Sequence, residues 1–341
     1  MIDSPQDPIL VEVLRGAWVE SVHRGAIAVC DADGAIVFWL GEIDAPVFPR
    51  SAVKAFQALP LIESGAADRY GLTAEEIALA CASHSGEPAH AEMARAMLAK
   101  CGRDVNALEC GTHWPESLAA GRALAAAGKK PSALHNNCSG KHAGFVCLAC
   151  AANVDPKGYV GPEHFVQREV ASALAQMTGA PIDERHRATD GCAIPTYAIP
   201  LKALALGFAR FGAGLGMSAA RAAACARIRA AAAAHPWYVA GSHRFDTIVM
   251  QALGARAFVK TGAEGVYCAA FPQQGLGVAI KCRDGAGRAA EAIIGAMIAR
   301  FVAMSDAERA ALQPQFAPVL RNWNGVDVGA VRAVAGLTKA A

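Results

Sequence analysis

Strand-like segments stand at both ends of this 341-residue chain, and a long alanine-rich helical region stands between them. Residues 11–40 are rich in Val, Ile and aromatic residues. The turn signal Asp31-Ala32-Asp33-Gly34 interrupts them, which predicts a β meander. Strand-like patterns return at residues 255–270, 277–282 and 326–334. We therefore predict an α/β fold of the α+β kind, with a sheet from both chain ends and an inserted helical region.

Helical spacing marks the middle of the chain, with Gly and Pro between the segments. The predicted helices cover residues 51–63, 72–80, 88–100, 116–127, 140–151, 164–177 and 201–233, and a further one covers 287–304. We divide the single chain into a sheet-containing subdomain, residues 1–48 and 245–341, and a mainly helical subdomain, residues 49–244.

Composition excludes several classes of protein. Charged residues make up 18% of the chain, the net charge is +2, and no basic block is longer than a pair such as Lys129-Lys130. The sequence therefore lacks the cluster of basic residues that is typical of nucleic-acid-binding proteins. The N-terminal segment lacks the basic and apolar regions of a signal peptide, and apolar runs such as residues 143–154 are too short to cross a bilayer. We expect a cytoplasmic protein without a membrane partner.

The eleven cysteines are expected to be reduced thiols, because their number is odd and the chain carries no leader signal. Cys147 and Cys150 form a C-x-x-C inside an apolar helical run, and no second pair follows at zinc-finger spacing. We interpret these two as small residues of a helix core.

Two separated motifs point to a serine–lysine pair. Ser51 and Lys54 form an S-x-x-K just after Pro49, so a helix starting here would place both on one face. A serine hydroxyl needs a base to become a nucleophile, and a lysine with a lowered pKa can be that base. By itself the motif is better explained by a helix N-cap and a solvated lysine, because chance matches to S-x-x-K are common. A distant Lys260-Thr261-Gly262 follows in the order found in penicillin-recognising serine enzymes, although no Ser-Asp-Asn lies between.

Three further polar segments interrupt the helical region. The first, residues 81–87, reads Cys-Ala-Ser-His-Ser-Gly-Glu and is typical of a tight loop or a helix C-cap. The second, residues 136–144, brings Cys138, Lys141 and His142 to a predicted helix start. The third, residues 189–195, contains Asp190 and Cys192. The two cysteines could bind a metal together with nearby groups, or they could be unrelated thiols.

Together these segments resemble the rhizobial-type (class 3) L-asparaginases, the asparaginase II family, over residues 11–334. The resemblance implies a β-lactamase/glutaminase-like fold and a homodimeric amidohydrolase of asparagine catabolism that converts L-asparagine to L-aspartate and ammonia. It implies two Ser-Lys tandems, Ser51 with Lys54 and Ser83 with Lys260. It also implies a zinc ion (Zn2+) held by Cys138, Lys141 and Cys192.

In the expected mechanism Lys54 deprotonates Ser51, Ser51 attacks the side-chain amide, and Ser83 with Lys260 passes a proton to the leaving ammonia. The zwitterionic substrate needs an acceptor for its amino group, for which Asp190 is the candidate. Its carboxylate needs a donor, with Arg50, Lys141 and His142 as candidates, although Arg50 and His142 could equally make structural hydrogen bonds.

Three alternatives stay open. A glutaminase or broader amidase on the same scaffold differs by pocket length, which the sequence cannot measure. A penicillin-recognising enzyme fits less well because those substrates lie outside the cytoplasm. A non-catalytic zinc- or thiol-binding protein would use Cys138 and Cys192 alone.

Overall fold

The computed structural model describes residues 7–338. The chain folds into two compact units. The sheet unit contains the described residues up to Ala52, Ile199–Gly216, and the described residues from Ile248 onwards. The helical unit contains Val53–Ala198 and Met217–Thr247. Residues 199–216, which the sequence division placed in the helical subdomain, thus group with the sheet.

Twelve strands occur in residues 7–338. In chain order they are β1 (Ile9–Arg15), β2 (Trp18–Asp31), β3 (Ile36–Leu40), β4 (Pro46–Val47), β5 (Arg187–Thr189), β6 (Pro195–Tyr197), β7 (Ile199–Pro200), β8 (Phe258–Thr261), β9 (Val266–Phe271), β10 (Leu276–Cys282), β11 (Val319–Arg321) and β12 (Asp327–Ala333). The predicted meander of residues 11–40 is confirmed as β1, β2 and β3.

One eight-stranded sheet joins the two ends of the chain. Its order is β11-β12-β1-β2-β10-β9-β8, with β3 also pairing with β2, and every pairing is antiparallel. The central strand β10 runs beside β2 with Ile280 opposite Ile27, and both side chains are fully buried. This confirms the predicted α+β fold in which strands from both ends build one sheet.

Fifteen α-helices occur in residues 7–338. They are α1 (Lys54–Gln57), α2 (Leu59–Glu63), α3 (Ala66–Arg69), α4 (Ala74–Ala80), α5 (Pro88–Lys100), α6 (Leu118–Ala126), α7 (Ser139–Ala151), α8 (Phe165–Thr178), α9 (Leu201–Ala213), α10 (Ala219–Ala234), α11 (Pro236–Ala240), α12 (Phe245–Leu253), α13 (Gly287–Phe301), α14 (Asp306–Phe316) and α15 (Ala335–Thr338). None of the described helices is long and apolar enough to cross a bilayer.

The predicted helix over residues 201–233 is two helices, α9 and α10. Gly214 ends α9 in the left-handed conformation, and the Ser218 hydroxyl caps α10 by accepting a hydrogen bond from the Arg221 backbone N–H. These caps stop one helix and start the next between two alanine-rich stretches. The first helix, α9, packs on β10 and β2 of the sheet unit.

Helix α7 forms the centre of the helical unit. Its residues from Ser139 to Ala149 are all buried, and it packs against α2, α3, α4, α5 and α8. A helix buried on every side cannot show a polar face, so its sequence is apolar all round. The first turn of α7 is the exception, because it carries polar residues into the same buried region.

Candidate active site

Ser51 and Lys54 lie in one short helical segment. A 3-10 helix spans Arg50–Val53, and Lys54 opens α1 directly after it. Arg50 adopts φ 51°, a left-handed conformation that residues other than glycine rarely adopt. Ser51 is partly exposed, whereas only 1% of Lys54 is exposed. The segment therefore leaves the serine accessible and buries the lysine.

The buried amine of Lys54 has three hydrogen-bond acceptors in the helical unit. Its Nζ donates to the carbonyl oxygen of Ala82 at 2.6 Å and to Ser83 Oγ at 2.9 Å. A longer hydrogen bond of 3.4 Å reaches the carbonyl oxygen of Asn137. A buried charge is tolerated only when it is well solvated by protein groups, and these three oxygens do so. Lys54 of the S-x-x-K motif thus contacts the serine of the second predicted tandem.

The loop that carries Ser83 is held by backbone hydrogen bonds to the last two residues of α11. The Ser83 N–H donates to the Val239 carbonyl at 2.9 Å, and the Ser85 N–H donates to the Ala240 carbonyl at 2.8 Å. The ring of His84, fully buried, contacts Ser139 Oγ through Nε2 at 2.9 Å. Residues 81–87 are therefore a fixed loop rather than a simple helix C-cap.

Gly241 is required beside this loop. Its φ is 115°, and a Cβ placed on it would lie 2.7 Å from Glu87 Oε1 and 2.9 Å from Ser85 Oγ. Only glycine adopts this backbone conformation without strain, and a side chain has no space here. Glu87 also accepts hydrogen bonds from the backbone and hydroxyl of Ser242. This contact positions the carboxylate against the Ser83 loop.

Cys138, Lys141 and Cys192 lie in one buried cluster. Cys138 is the N-cap residue of α7, Lys141 lies in its first turn, and Cys192 lies in the turn between β5 and β6. Lys141 Nζ lies 3.1 Å from Cys192 Sγ, and Cys192 acts on the pKa of Cys138 at hydrogen-bonding range. All three side chains are at least nine-tenths buried.

The two thiols and the neighbouring lysines affect one another's pKa. The mutual hydrogen bond of the thiols lowers the pKa of Cys138 well below its ordinary value, helped by the positive charges of Lys54 and Lys141. The same hydrogen bond and burial raise the pKa of Cys192. Burial opposes the charge of Lys141, but Cys192 and Cys138 outweigh burial and raise its pKa. The lysine charges therefore favour a thiolate within this buried pair.

These three residues fit a zinc ion by the chemistry of their donors. Two sulfurs and one nitrogen are donor types that zinc prefers, and three protein ligands leave one position of a tetrahedral site for water or substrate. A metal would have to displace the proton of Lys141, because only a neutral amine coordinates. In residues 7–338 no group of three or more His, Cys, Asp or Glu side chains is arranged for a metal, so this set depends on the lysine.

His142 is fully buried behind Lys141. Its Nδ1 lies 2.6 Å from the hydroxyl of Tyr159, which in turn accepts the backbone N–H of Glu109 at 2.9 Å. Burial lowers the pKa of His142 well below its ordinary value, so the ring is neutral. If Tyr159 donates to Nδ1, the proton is on Nε2, which has no hydrogen-bond partner among the described residues. His142 therefore offers an N–H donor rather than a positive charge.

Asp190 is placed by the turn that also carries Cys192. Its backbone N–H donates to the Ile194 carbonyl at 2.8 Å, and its Oδ1 accepts the N–H of Gly191 at 2.6 Å. Ala193 in this turn has φ 72°, a second left-handed residue other than glycine. The negative charge of Asp190 acts on both Lys141 and Cys192. Asp190 thus belongs to the same cluster as the predicted zinc ligands.

Lys260 lies on β8 of the sheet unit and is completely buried. Its Nζ donates to the Thr261 carbonyl at 3.0 Å. A Cβ placed on Gly262 would lie 2.5 Å from the Pro49 carbonyl oxygen and 3.3 Å from Ala52 Cβ. The Lys-Thr-Gly segment therefore lies against the residues that flank Ser51, and the two motifs meet within the sheet unit. The predicted pairing of Lys260 with Ser83, which belongs to the helical unit, stays a prediction.

The motifs missed one ion pair beside the Ser83 loop. Arg244 Nη1 donates to Glu116 Oε2 at 3.0 Å and lies 3.4 Å from Ser85 Oγ. The other oxygen of Glu116 accepts a hydrogen bond from Asn137 Nδ2 at 2.5 Å. Both members of the pair are partly exposed. No spacing rule connects residues 116 and 244, so only the fold could bring them together.

A sequence profile of the L-asparaginase II family matches residues 11–333. None of the curated proteins matches the chain significantly. A β-lactamase from Mycobacterium bovis is similar in structure, with 13% identity and a TM-score of 0.39, over 78% of this chain and 89% of that chain. Mglu in its native form in the presence of 4.3 M NaCl is 15% identical, with a TM-score of 0.34, over 76% and 56%. Both TM-scores are too low to carry an argument about this chain.

Proposed function

Because the chain belongs to the L-asparaginase II family, we propose that it hydrolyses L-asparagine to L-aspartate and ammonia with a serine nucleophile. The family membership confirms the resemblance of the motifs and supports an amidohydrolase acting on a small molecule. The hydrogen bond of 2.9 Å between buried Lys54 and Ser83 carries the mechanistic proposal. It holds an amine and a hydroxyl at the distance that proton transfer requires.

We assign the attack on the amide carbon to Ser51. It is the partly exposed serine of the segment that Lys54 continues, and Lys54, in its neutral amine form, accepts its proton in the proposed step. A proton can then pass from Lys54 to Ser83 along their hydrogen bond and reach the departing nitrogen. Lys260 is proposed to complete this second tandem. Water releases aspartate from the ester and restores Ser51.

The proposed zinc ligands are Cys138, Lys141 and Cys192. A bound zinc ion would supply positive charge, either polarising a substrate oxygen or fixing the geometry of the site. The proposed roles of Ser51, Lys54 and Ser83 are the same whether zinc polarises the substrate or only fixes the geometry. The turn around Asp190 and the first turn of α7 fix the positions of the ligands.

Recognition of a zwitterion requires both charges. Asp190 is the proposed acceptor of the substrate amino group. Arg50, Lys141 and the N–H of neutral His142 are the proposed donors to its carboxylate. The Arg244–Glu116 pair, partly exposed beside Ser85, offers a further cation and carboxylate for the same purpose. Glutamine carries the same two charges and one more methylene, so a glutaminase or broader amidase is the second candidate.

The test of this function is ammonia release from asparagine and glutamine, measured with the wild type, Ser51→Ala and Ser83→Ala. We expect asparagine to be preferred and Ser51→Ala to be inactive while retaining its zinc. A diazoketone analogue of asparagine should label Ser51 in the wild type, as identified by mass spectrometry of the digested protein. Label on Ser83 would exchange the roles of the two serines. An absence of amidase activity with bound zinc would favour a zinc-binding protein instead.

Cytoplasmic location and a homodimer are part of the proposal. All eleven cysteines are free thiols, which fits a reducing compartment. Large apolar side chains are exposed on the outer part of the sheet: Trp18, Val19, Val22, Ile36, Val37 and Trp39. A second copy of the chain covering them would remove this surface from water. Light scattering coupled to gel filtration would measure the mass, and Trp39→Lys should shift the protein to monomer.

A further inference from the structure

The Cys147-x-x-Cys150 pair meets a third cysteine at the end of a neighbouring helix. Cys101 directly follows α5, which packs against α7. Cys147 Sγ lies 3.5 Å from the Met97 carbonyl, and Cys101 Sγ lies 3.2 Å from the Leu98 carbonyl. Both sulfurs therefore lie at the last turn of α5. Cys147 and Cys150, three residues apart on α7, share the face that points there.

The three thiols also contact one another. Cys147 and Cys150 both act on the pKa of Cys101 at hydrogen-bonding range, and Cys150 acts on the Arg103 guanidinium in the same way. Cys147 is buried, but Cys101 and Cys150 are half-buried. A cleft of about 710 Å³, lined by Gly102, Arg103 and residues 155–157 among others, opens beside Cys101. Neither Cys101 nor Cys150 lines the cleft, but both residues keep part of their surface exposed to solvent.

We propose that Cys101 and Cys150 form a peroxide-sensitive thiol pair whose oxidation links the end of α5 to α7 by a disulfide bond. The Cys101 thiolate attacks one oxygen of hydrogen peroxide, breaks the O–O bond and releases hydroxide, which leaves a sulfenic acid. The Cys150 thiol then attacks that sulfur. The S–O bond breaks, a disulfide forms, and the oxygen leaves as water with the thiol proton. Each disulfide consumes one peroxide and transfers two electrons to it.

The electrostatics of the cluster support these roles. The hydrogen bond from Cys147 lowers the pKa of Cys101 to about 7. About half of Cys101 is then thiolate at neutral pH, against about one part in a hundred for a thiol with an ordinary pKa near 9. The hydrogen bond to Cys101 raises the pKa of Cys147, so Cys147 stays protonated and buried. Burial raises the pKa of Cys150, but the guanidinium of Arg103 opposes this and favours its thiolate when it attacks.

Metal binding is the competing role for three thiols. Among residues 7–338 no group of three or more cysteine, histidine or acidic side chains is arranged to hold a metal ion. Cys101 and Cys150 also lie on different tryptic peptides from Cys138 and Cys192, the cysteines of the proposed zinc site. Oxidation can therefore be measured for each pair in the same digest.

Peptide mapping tests the proposal directly. The intact protein is treated with a small excess of hydrogen peroxide, alkylated and digested with trypsin without reduction. We expect the peptide of residues 101–103 to be linked to that of residues 142–157, with fragmentation placing the bond on Cys150. Cys147→Ser should retain the link. Cys150→Ser should instead accumulate a sulfenic acid on Cys101 that dimedone traps, and Cys101→Ser should slow peroxide consumption by about 10-fold or more.

Other outcomes would overturn the proposal. These are alkylated Cys101 after peroxide treatment of the wild type, a Cys147–Cys150 bond that also forms in Cys101→Ser, and zinc retained by this cluster in a Cys138→Ser/Cys192→Ser protein. Cys225→Ser, which removes a buried thiol elsewhere, is the matched control and should leave the link unchanged. The wild-type map decides the question even if a variant fails to fold.

Discussion

Lys54 Nζ donates a hydrogen bond of 2.9 Å to Ser83 Oγ, and the two residues stand 29 positions apart in the chain. The lysine comes from the S-x-x-K segment, and the serine comes from the loop after α4. The two predicted tandems therefore share at least one direct contact within the helical unit. Removing either the Lys54 amine or the Ser83 hydroxyl should therefore impair proton transfer in the proposed reaction.

Ser83→Ala should lower kcat for asparagine by about 10²–10⁴-fold, the range typical of a lost proton-transfer group. Lys54 keeps its two carbonyl acceptors in this variant, so the fold should be retained. Steady-state ammonia release gives kcat and KM, and circular dichroism controls for folding. Ser242→Ala, which removes a hydroxyl bonded to Glu87 in the same region, is the matched control. Equal losses in both variants would mean that Ser83 has only a structural role.

Zinc affinity should depend on both cysteines of the proposed site. Cys192→Ser removes a ligand whose sulfur lies 3.1 Å from Lys141 Nζ. We expect an affinity loss greater than the roughly 10–100-fold that follows removal of an outer-shell partner. Zinc content after dialysis against a competing chelator measures this, with Cys225→Ser as the control. Unchanged zinc content in Cys192→Ser and Cys138→Ser would rule out this ligand set.

Gly241→Ala should reduce the free energy of unfolding by about 2–4 kcal/mol, from backbone strain and the clash together. The new Cβ would lie 2.7 Å from Glu87 Oε1 and 2.9 Å from Ser85 Oγ. Gly128→Ala is the control, because Gly128 also has a positive φ (67°) but no atom within 4 Å of the new Cβ. Urea unfolding gives the loss of unfolding free energy in each variant, and the difference between the two losses measures what Gly241→Ala adds to the cost of a positive φ. A similar loss in both would show that the close contact contributes little.

Stability should fall as pH drops below about 6.5, the ordinary pKa of histidine in the unfolded chain. Burial lowers the pKa of His84 well below this value and also lowers that of His90. Between the unfolded and folded pKa values the unfolded chain binds more protons, so acid favours unfolding and the full stability is present above pH 6.5. The slope is at most about 1.4 kcal/mol per pH unit for each histidine.

Urea unfolding at about pH 7.5 and about pH 5.5 measures this dependence. His90→Gln should make the difference between the two pH values smaller, because it removes one titrating ring. The stacking of His90 on Trp237 is also lost, which lowers stability equally at both pH values. A pH dependence identical to that of the wild type would contradict the assignment to His90.

The sequence by itself determined the class of fold, the family and the local geometry of the motifs. Alternating apolar residues at both ends predict strands, and these strands bury their apolar side chains by joining one sheet. The helical pattern between them defines the inserted region. The caps at Gly214 and Ser218 divide the predicted helix of residues 201–233, and the sequence pattern predicts one helix across the short segment Gly-Leu-Gly-Met-Ser that carries them. A prediction that relies on helical periodicity passes over capping signals of one or two residues.

Only the tertiary structure decided which distant groups meet. Lys54 with Ser83, Lys141 with Cys192, and Arg244 with Glu116 are brought together by helix packing and loops, and sequence spacing carries no information on such pairs. Cys147 is a buried helix-core residue, as the sequence predicted, but only the structure showed that Cys147 and the half-buried Cys150 lie near Cys101. The tertiary structure also determined the pKa values of the buried thiols and histidines. The pKa of a thiol or histidine follows from its neighbours and its exposure, which exist only once the chain has folded.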